Sequence, residues 1–183
     1  SNLLTDGAAV SRAISDITKE AILYQGVNLD FEGLGWRAEN EELTAVRQSF
    51  NRFVQLLSGQ LKKIDRSLTL TLHAPNSAYK GYDYQELGRY ADRIIVMAYD
   101  YGTVPEPLDL VIEAMEMAGE VIPPEKLVLG ISIPGETAES IPAKVGLAKR
   151  YNLEGIAIWR LGLVSDEIWN ILRTTVASRQ LGS

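Results

Sequence analysis

Short apolar segments alternate with segments of helical periodicity along most of this sequence, and this alternation restricts the fold more than any other feature. Five segments have the length and the aliphatic, β-branched composition of buried strands. They lie at residues 27–32, 67–75, 93–98, 126–134 and 155–159. Near-continuous apolar strands separated by helices are typical of a parallel sheet whose strands are joined by helical crossovers. The sequence therefore predicts an α/β fold built on a parallel sheet.

The segments around and between these strands place apolar residues at intervals of three and four, as amphipathic helices do. The first apolar stripe runs from Val10 to Ile22, and Asp6 is its predicted N-cap; Asp83 is the predicted N-cap of a later short helix. The last predicted helix extends from Asp166 to about residue 177. The other helices are predicted at residues 43–61, 83–90, 108–118 and 141–151.

Composition limits the number of domains and the classes of function. The chain has 183 residues, 46% of them hydrophobic, which suffices for one well-buried core, and no long Pro/Gly/Ser linker divides it. A net charge of -6 without a Lys/Arg cluster argues against a nucleic-acid or anionic-membrane partner. No apolar run approaches the roughly 18 residues of a membrane span. Without Cys and with a single His, thiolate and His-rich metal sites are excluded, and we expect neither a metal nor a cofactor.

The first predicted strand carries polar groups on one face only. In YQGVNLDFEG, residues 24–33, apolar residues alternate with Asn28, Asp30 and Glu32. Successive side chains of a strand point to opposite faces, so the amide and the two carboxyl groups share one face. Two acids about 7 Å apart along a strand resist double ionisation, which suits one of them to donate a proton. The same pattern also fits an amphipathic strand whose acids simply face solvent.

Three segments together resemble glycoside hydrolase family 18, the chitinase-like enzymes. QGVNLDFE is similar to the family signature DGxDxDxE, with Gln25 and Asn28 in place of the first two Asp residues and Asp30 and Glu32 matching the last two acids. RIIVMAYDYG, residues 93–102, resembles the MxYD motif of the sixth barrel strand. IAIWRLG, residues 156–162, resembles the eighth-strand segment that ends in a sugar-binding Trp. The details are most similar to bacterial spore-cortex and cell-wall N-acetylglucosaminidases.

The resemblance implies a fold and an organisation for the chain. It predicts part of a TIM (β/α)8 barrel, with parallel strands corresponding to about strands four to eight and with flanking helices. Residues 1–183 would be a single fragment of the catalytic domain, with strands one to three upstream or supplied by another chain. The exposed edges of such a sheet would favour self-association and leave the fragment a weak catalyst.

The resemblance also implies a chemistry, the substrate-assisted retaining hydrolysis of β-linked N-acetylglucosamine polymers such as peptidoglycan, spore cortex or chitin. Glu32 would be the general acid and base, Asp30 would orient the acetamido group, and Tyr99 would donate its hydroxyl to the acetamido carbonyl. Trp159 would stack beneath the sugar.

Three further residues are assigned to substrate binding. Asn28 would hold Asp30, and Asp100 would contact a sugar hydroxyl or cap its loop. Met97 belongs to the same motif, although its side chain also suits packing in the barrel interior. Trp36 and Tyr101, in loops after strands, are weaker sugar-binding candidates.

His73 is predicted to follow a strand near the presumed active face, but the resemblance gives it no role and it is expected to be a surface residue rather than a catalytic one. The principal alternative function is a non-catalytic, lectin-like glycan-binding domain, and a structural domain without a ligand is a third interpretation. The family branch implies a secreted bacterial protein of the cell wall or spore, although no export signal is visible. Chitin against peptidoglycan and exo- against endo-cleavage stay open.

Overall fold

A computed structural model describes residues 2–176 of the chain, and within them a five-stranded parallel sheet has helices packed on one face. The strands are β1 (Gly26–Asp30), β2 (Ser67–His73), β3 (Arg93–Met97), β4 (Leu127–Ser132) and β5 (Gly155–Trp159). The helices are α1 (Asn2–Thr5), α2 (Gly7–Ala21), α3 (Asn40–Lys63), α4 (Tyr84–Tyr90), α5 (Leu108–Gly119), α6 (Ile141–Arg150) and α7 (Asp166–Thr175). The α/β prediction is confirmed.

The strands follow one another across the sheet in chain order, from β1 to β5, and every neighbouring pair is parallel. This order is that of a partial (β/α)8 barrel, as the sequence predicts. The register aligns Asp30 with Thr71, His73 with Met97, and Ser132 with Trp159. Because the strands are parallel, all their carboxyl ends lie at the same edge of the sheet.

The two faces of the sheet differ in character. Leu68, Leu70 and Leu72 of β2 are at most 1% exposed and pack into the core under the helices. Thr71 and His73 alternate with them and point to the opposite face. The helices therefore pack on the face that carries the leucines, and the polar side chains of β2 lie on the opposite face.

The long helix α3 contributes most to the covering layer over β2. Phe50, Phe53 and Leu57 recur at helical spacing and are no more than 2% exposed. Burial of each such side chain stabilises the fold by about 1.5–3 kcal/mol. Replacing any one of them by Ala would therefore remove a substantial part of the free energy of unfolding of a typical domain.

Polar side chains fix where two of the helices begin. The Asp6 carboxylate accepts hydrogen bonds from the backbone N–H groups of Ala8 at 2.8 Å and Ala9 at 3.2 Å. The Asp83 carboxylate accepts one from the N–H of Glu86 at 3.0 Å. Both predicted caps are confirmed, because these contacts satisfy N–H groups that have no partner within the first helical turn.

Several predicted boundaries are wrong by a few residues. Helix α2 ends at Ala21, and Ile22 is 57% exposed rather than part of the apolar stripe, because the chain turns there toward β1. Strand β1 ends at Asp30, so Glu32 lies just beyond the strand. Helix α7 is described to Thr175, and residue 177 lies outside the described residues.

Strands β1 and β5 form the two outer edges of the sheet. Within residues 2–176, β1 and β5 each pair with one neighbouring strand, so one side of each carries backbone groups without a strand partner.

No helix of this described region is long and apolar enough to cross a membrane.

Candidate active site

A pocket of about 360 Å³ lies on the face of the sheet opposite the helices, toward the carboxyl ends of the strands. All five strands or the residues that follow them contribute to its walls. It brings together the seven residues to which the resemblance assigns a catalytic or substrate-binding role: Asn28, Asp30, Glu32, Met97, Tyr99, Asp100 and Trp159. Thr71, His73, Ile95, Gly130, Ala157 and Ile158 complete the lining.

Strand β1 presents its polar residues to this pocket. Asn28, Asp30 and Glu32 are exposed, whereas the intervening Leu29 and Phe31 are half-buried toward the helices. The alternation predicted from the sequence is therefore present. The side-chain oxygen of Asn28 accepts a hydrogen bond from the Thr71 hydroxyl at 3.0 Å. This contact fixes the Asn28 amide against β2, and its predicted bond to Asp30 stays a prediction.

The Asp30 carboxyl group is harder to ionise than an ordinary aspartate. Although the residue is exposed, the pocket walls partly desolvate its carboxyl group, and this burial raises its pKa. The negative charge of Glu32 raises the pKa further, while His73 acts in the opposite direction.

Tyr99 is held as a neutral hydroxyl donor. Burial, followed by the negative charges of Asp100, Asp30 and Glu32, raises the pKa of its phenol well above the ordinary value. Gly130 of β4 makes room for the Tyr99 ring, because a Cβ atom there would lie 3.2 Å from its Cε1 atom. The phenol therefore keeps its proton at any physiological pH.

The loop after β3 is held by a buried carboxylate that the sequence analysis missed. Asp100 has a left-handed backbone conformation, with φ of 66°. The Glu106 carboxylate accepts hydrogen bonds from the N–H of Asp100 at 2.8 Å and from the N–H of Tyr101 at 3.0 Å. Glu106 is only 4% exposed, so this contact is shielded from water. It fixes the backbone beside the pocket.

A buried ion pair holds the backbone carbonyl group of Glu106 in place. The Lys144 ammonium of α6 donates to the backbone carbonyl of Glu106 at 2.8 Å and lies 3.3 Å from a Glu136 carboxylate oxygen. Both charged side chains are almost fully buried, and burial of paired charges is tolerable only when each is well hydrogen-bonded. No local sequence signal identifies this network, because its members are 30 or more residues apart except within the 136–144 segment.

His73 lies in the pocket, and the expectation that it is a surface residue is wrong. It is the last residue of β2, its side chain is 19% exposed, and its Nε2 atom lies 4.0 Å from Glu32 Oε2. Its ring stacks on Tyr79 with centroids 4.0 Å apart. Strand parity would have identified it, since Leu68, Leu70 and Leu72 face the core and His73 has the opposite parity.

Trp36 and Tyr101 lie outside the pocket lining. Trp36 is 50% exposed and packs against Tyr79, with ring centroids 5.1 Å apart. The Tyr101 hydroxyl donates to the Asn76 side-chain oxygen at 2.9 Å, and burial raises the pKa of Tyr101 to about 12. Tyr101 therefore braces the loops rather than pointing at the acids.

Trp159 and Met97 form contrasting parts of the pocket wall. Trp159, at the end of β5, is 56% exposed, and the peptide bond that follows it is cis. Met97 is 5% exposed and lies in the floor. A broad exposed indole above a small apolar floor suits a sugar ring, whose axial C–H groups pack on aromatic faces.

Comparison with known proteins identifies similar sequences and structures. The family model described as glycosyl hydrolases family 18 matches residues 5–138. The cortical fragment-lytic enzyme of Bacillus anthracis is 25% identical over 177 residues, covering 82% of this chain and 39% of that protein. The chain thus spans well under two thirds of that relative.

Solved structures share the fold. The spore cortex-lytic enzyme SleL of Bacillus megaterium superposes with a TM-score of 0.81 at 19% identity, covering 98% of this chain and 56% of that one. A chitinase from Chromobacterium violaceum superposes with a TM-score of 0.79 at 22% identity, covering 94% and 73% respectively.

Proposed function

Because the chain belongs to glycosyl hydrolases family 18, we propose that it is a glycosidase that cleaves β-linked N-acetylglucosamine polymers. One observation carries the proposal most strongly. Asp30 and Glu32 lie side by side in a pocket that also holds the Tyr99 hydroxyl and the Trp159 ring. These are the groups that protonation of a leaving oxygen, orientation of an acetamide and stacking of a sugar require.

The reaction follows the substrate-assisted route. Glu32 transfers its proton to the glycosidic oxygen as the C1–O bond breaks, and the acetamido carbonyl oxygen of the same sugar bonds to C1. The leaving sugar departs as an alcohol, and an oxazolinium ion remains. Glu32, now a carboxylate, accepts a proton from water while the water oxygen bonds to C1 and the acetamide reforms. Two displacements at C1 give net retention of configuration.

Three other side chains stabilise these steps. Asp30 orients the acetamido group and offsets the positive charge that develops on it. Tyr99 keeps its proton because of its raised pKa and donates to the acetamido carbonyl oxygen. Trp159 stacks beneath the ring that reacts. Asn28, Asp100 and Met97 complete the sugar site.

The substrate that we propose is the glycan of spore cortex or cell-wall peptidoglycan rather than chitin. Support comes from relatives named as cortical fragment-lytic enzymes and as a sporulation-specific glycosylase. Such a substrate would place the protein outside the cytoplasm, at the spore or the cell wall. A lectin-like role has less support, because the chain retains an acid at position 32.

The proposed mechanism can be tested with substrates that differ in one group. The chain should hydrolyse N-acetylglucosamine oligomers or cortex muropeptides but leave cello-oligomers intact, because glucose lacks the acetamido oxygen. NMR of the first product should show the β-anomer. Equal hydrolysis of both polymers, or an α-anomer, would contradict substrate assistance. Binding of the oligomers without turnover would instead indicate a glycan-binding domain.

A further inference from the structure

His73 is the one residue of the pocket wall with a proton-accepting side chain that the proposed mechanism leaves unused. It ends β2, and its Nε2 atom lies 4.0 Å from the Oε2 atom of Glu32. This distance is too long for a direct hydrogen bond but short enough for one after a small side-chain rotation. His73 is therefore placed to act on the proposed acid.

A column of stacked side chains fixes the His73 ring. The imidazole lies on Tyr79 with centroids 4.0 Å apart and an angle of 21° between the rings. Tyr79 in turn packs on Trp36 at 5.1 Å, and the Arg37 guanidinium lies 5.4 Å from the Trp36 ring on the outside of the column. Stacking restrains the plane of the imidazole. Tyr79 covers one face of the imidazole ring. The edge of the ring that carries Nε2 is directed to Glu32.

The backbone of His73 is fixed as well. The Tyr84 hydroxyl donates to the carbonyl oxygen of His73 at 3.0 Å, and Tyr84 is 7% exposed. The Tyr82 ring lies 5.9 Å from the imidazole. Three tyrosines thus hold one histidine in place, which is more support than a solvent-facing side chain receives.

Titratable side chains from several segments surround His73. The titratable groups that surround it are Asp30, Glu32, Tyr79, Tyr82, Tyr84 and Asp100. Burial lowers the pKa of His73, and the carboxylates of Glu32, Asp30 and Asp100 oppose this lowering without reversing it. The imidazole is accordingly neutral at pH 7 and becomes charged only in more acidic solution.

We propose that His73 is a positioning residue for Glu32, whose neutral imidazole edge keeps the carboxyl group directed into the pocket. This inference rests on the proposed function. Protonation of His73 would place a cation beside Glu32 and convert the contact into an ion pair, drawing the carboxyl group away from the glycosidic oxygen. Turnover should therefore fall as the pH drops through the pKa of His73, in addition to any effect of the acids themselves.

The contact itself can be measured without turnover. The chain has a single His, so the imidazole signals in a ¹H–¹³C NMR titration belong to His73. Replacing Glu32→Gln should lower the pKa of His73, because the charge that opposes the effect of burial is removed. Glu20→Gln, at an exposed position on α2, is the matched control and should leave the titration unchanged. An unchanged pKa in Glu32→Gln would overturn the inference.

Two replacements separate positioning from packing. His73→Phe keeps the stack on Tyr79 but has no nitrogen, whereas His73→Gln keeps a neutral polar edge. We expect His73→Phe to reduce kcat by tenfold to about a hundredfold with little change in KM, the usual consequence of a misplaced catalytic group. His73→Gln should retain most activity at pH 7 and extend it to lower pH than the unaltered chain.

Wild-type kcat and an unchanged acid limb in both His73 variants would show that the side chain only packs. Failure of the proposed function gives a different result. In that case the unaltered chain would show no turnover, or a turnover that does not depend on Glu32, while the change of the His73 pKa in Glu32→Gln would still report the contact between the two side chains.

Discussion

The ionised Asp30 side chain lowers the stability of the folded chain, and the same side chain belongs to the proposed active site. Its raised pKa means that the folded state holds the Asp30 proton more tightly than the unfolded chain does. The contribution of Asp30 to stability is therefore present below the ordinary aspartate pKa and is lost as the pH rises through the raised value. At pH 7 the ionised carboxylate is less favourable in the pocket than in water. Sites selected for chemistry often carry such a cost.

Replacing Asp30→Asn should consequently raise the melting temperature at pH 7 while slowing turnover by about a hundredfold or more. The gain in melting temperature should shrink toward zero below about pH 3, where the unaltered Asp30 is protonated and resembles an amide. Thermal unfolding at several pH values measures this. Asp16→Asn, at an exposed position on α2, is the control. A lower melting temperature for Asp30→Asn at pH 7 would contradict the assigned electrostatics.

At the level of single residues, a local pattern was enough for some predictions and not for others. Asp30 and Glu32 could be placed on one face because strand parity depends on neighbours in sequence alone. The same parity rule places His73 on the face opposite to Leu68, Leu70 and Leu72. The structural role of Glu106 could not be predicted from sequence. Its carboxylate binds backbone N–H groups of a loop, and its carbonyl oxygen binds Lys144, which is 38 positions away in the sequence.

At the level of elements, β4 shapes the pocket because Gly130, the residue that faces the site, has no side chain. All six of its residues are buried, and Gly130 faces the site. A Cβ atom at Gly130 would lie 2.7 Å from the Val96 carbonyl oxygen and 3.2 Å from the Tyr99 ring. Neither neighbour can move freely, since one belongs to the backbone of β3 and the other follows that strand directly.

Gly130→Ala should therefore destabilise the fold by about 1–3 kcal/mol and displace Tyr99, with a loss of activity larger than the loss of stability explains. Gly59→Ala is the matched control, because Gly59 lies exposed within α3 with no heavy atom within 4 Å of an added Cβ. That replacement should stabilise the chain by about 0.5–1 kcal/mol. Urea unfolding of both variants decides the matter, and equal stability of the two would contradict the packing argument.

All five strands and all the principal helices were predictable from sequence, because each has a clear apolar period and several have a capping residue. The boundaries were less predictable. Strand β1 stops at Asp30 even though alternation continues to Glu32, and the carbonyl oxygen of Phe31, just beyond the strand, accepts a hydrogen bond from the Tyr82 hydroxyl at 2.9 Å. That contact involves a residue 51 positions away and cannot be read from the segment itself.

At the level of the whole molecule, the two outer strands carry apolar neighbours. Leu23 and Tyr24, just before β1, are 75% and 61% exposed, and Trp159 and Leu161, at and after the end of β5, are 56% and 69% exposed. An outer strand with unpaired backbone groups and adjacent apolar side chains is a template for pairing with another chain. We therefore propose that residues 1–183 self-associate through these edges.

Light scattering after size exclusion should show a mass that rises with concentration over the micromolar range. Leu23→Lys combined with Leu161→Lys should lower that mass, because a charge beside each edge opposes pairing. Leu56→Lys, at a 42% exposed position on α3 away from both edges, should not. A concentration-independent monomer for the unaltered chain would contradict the proposal.

The proposed function depends above all on Glu32 as the group that transfers the proton. The most direct measurement compares the unaltered chain with Glu32→Gln for turnover of N-acetylglucosamine oligomers and, by isothermal titration, for their binding. We expect turnover to fall by about a hundredfold or more, while the dissociation constant stays within a few-fold. Turnover by Glu32→Gln close to that of the unaltered chain would contradict the central claim.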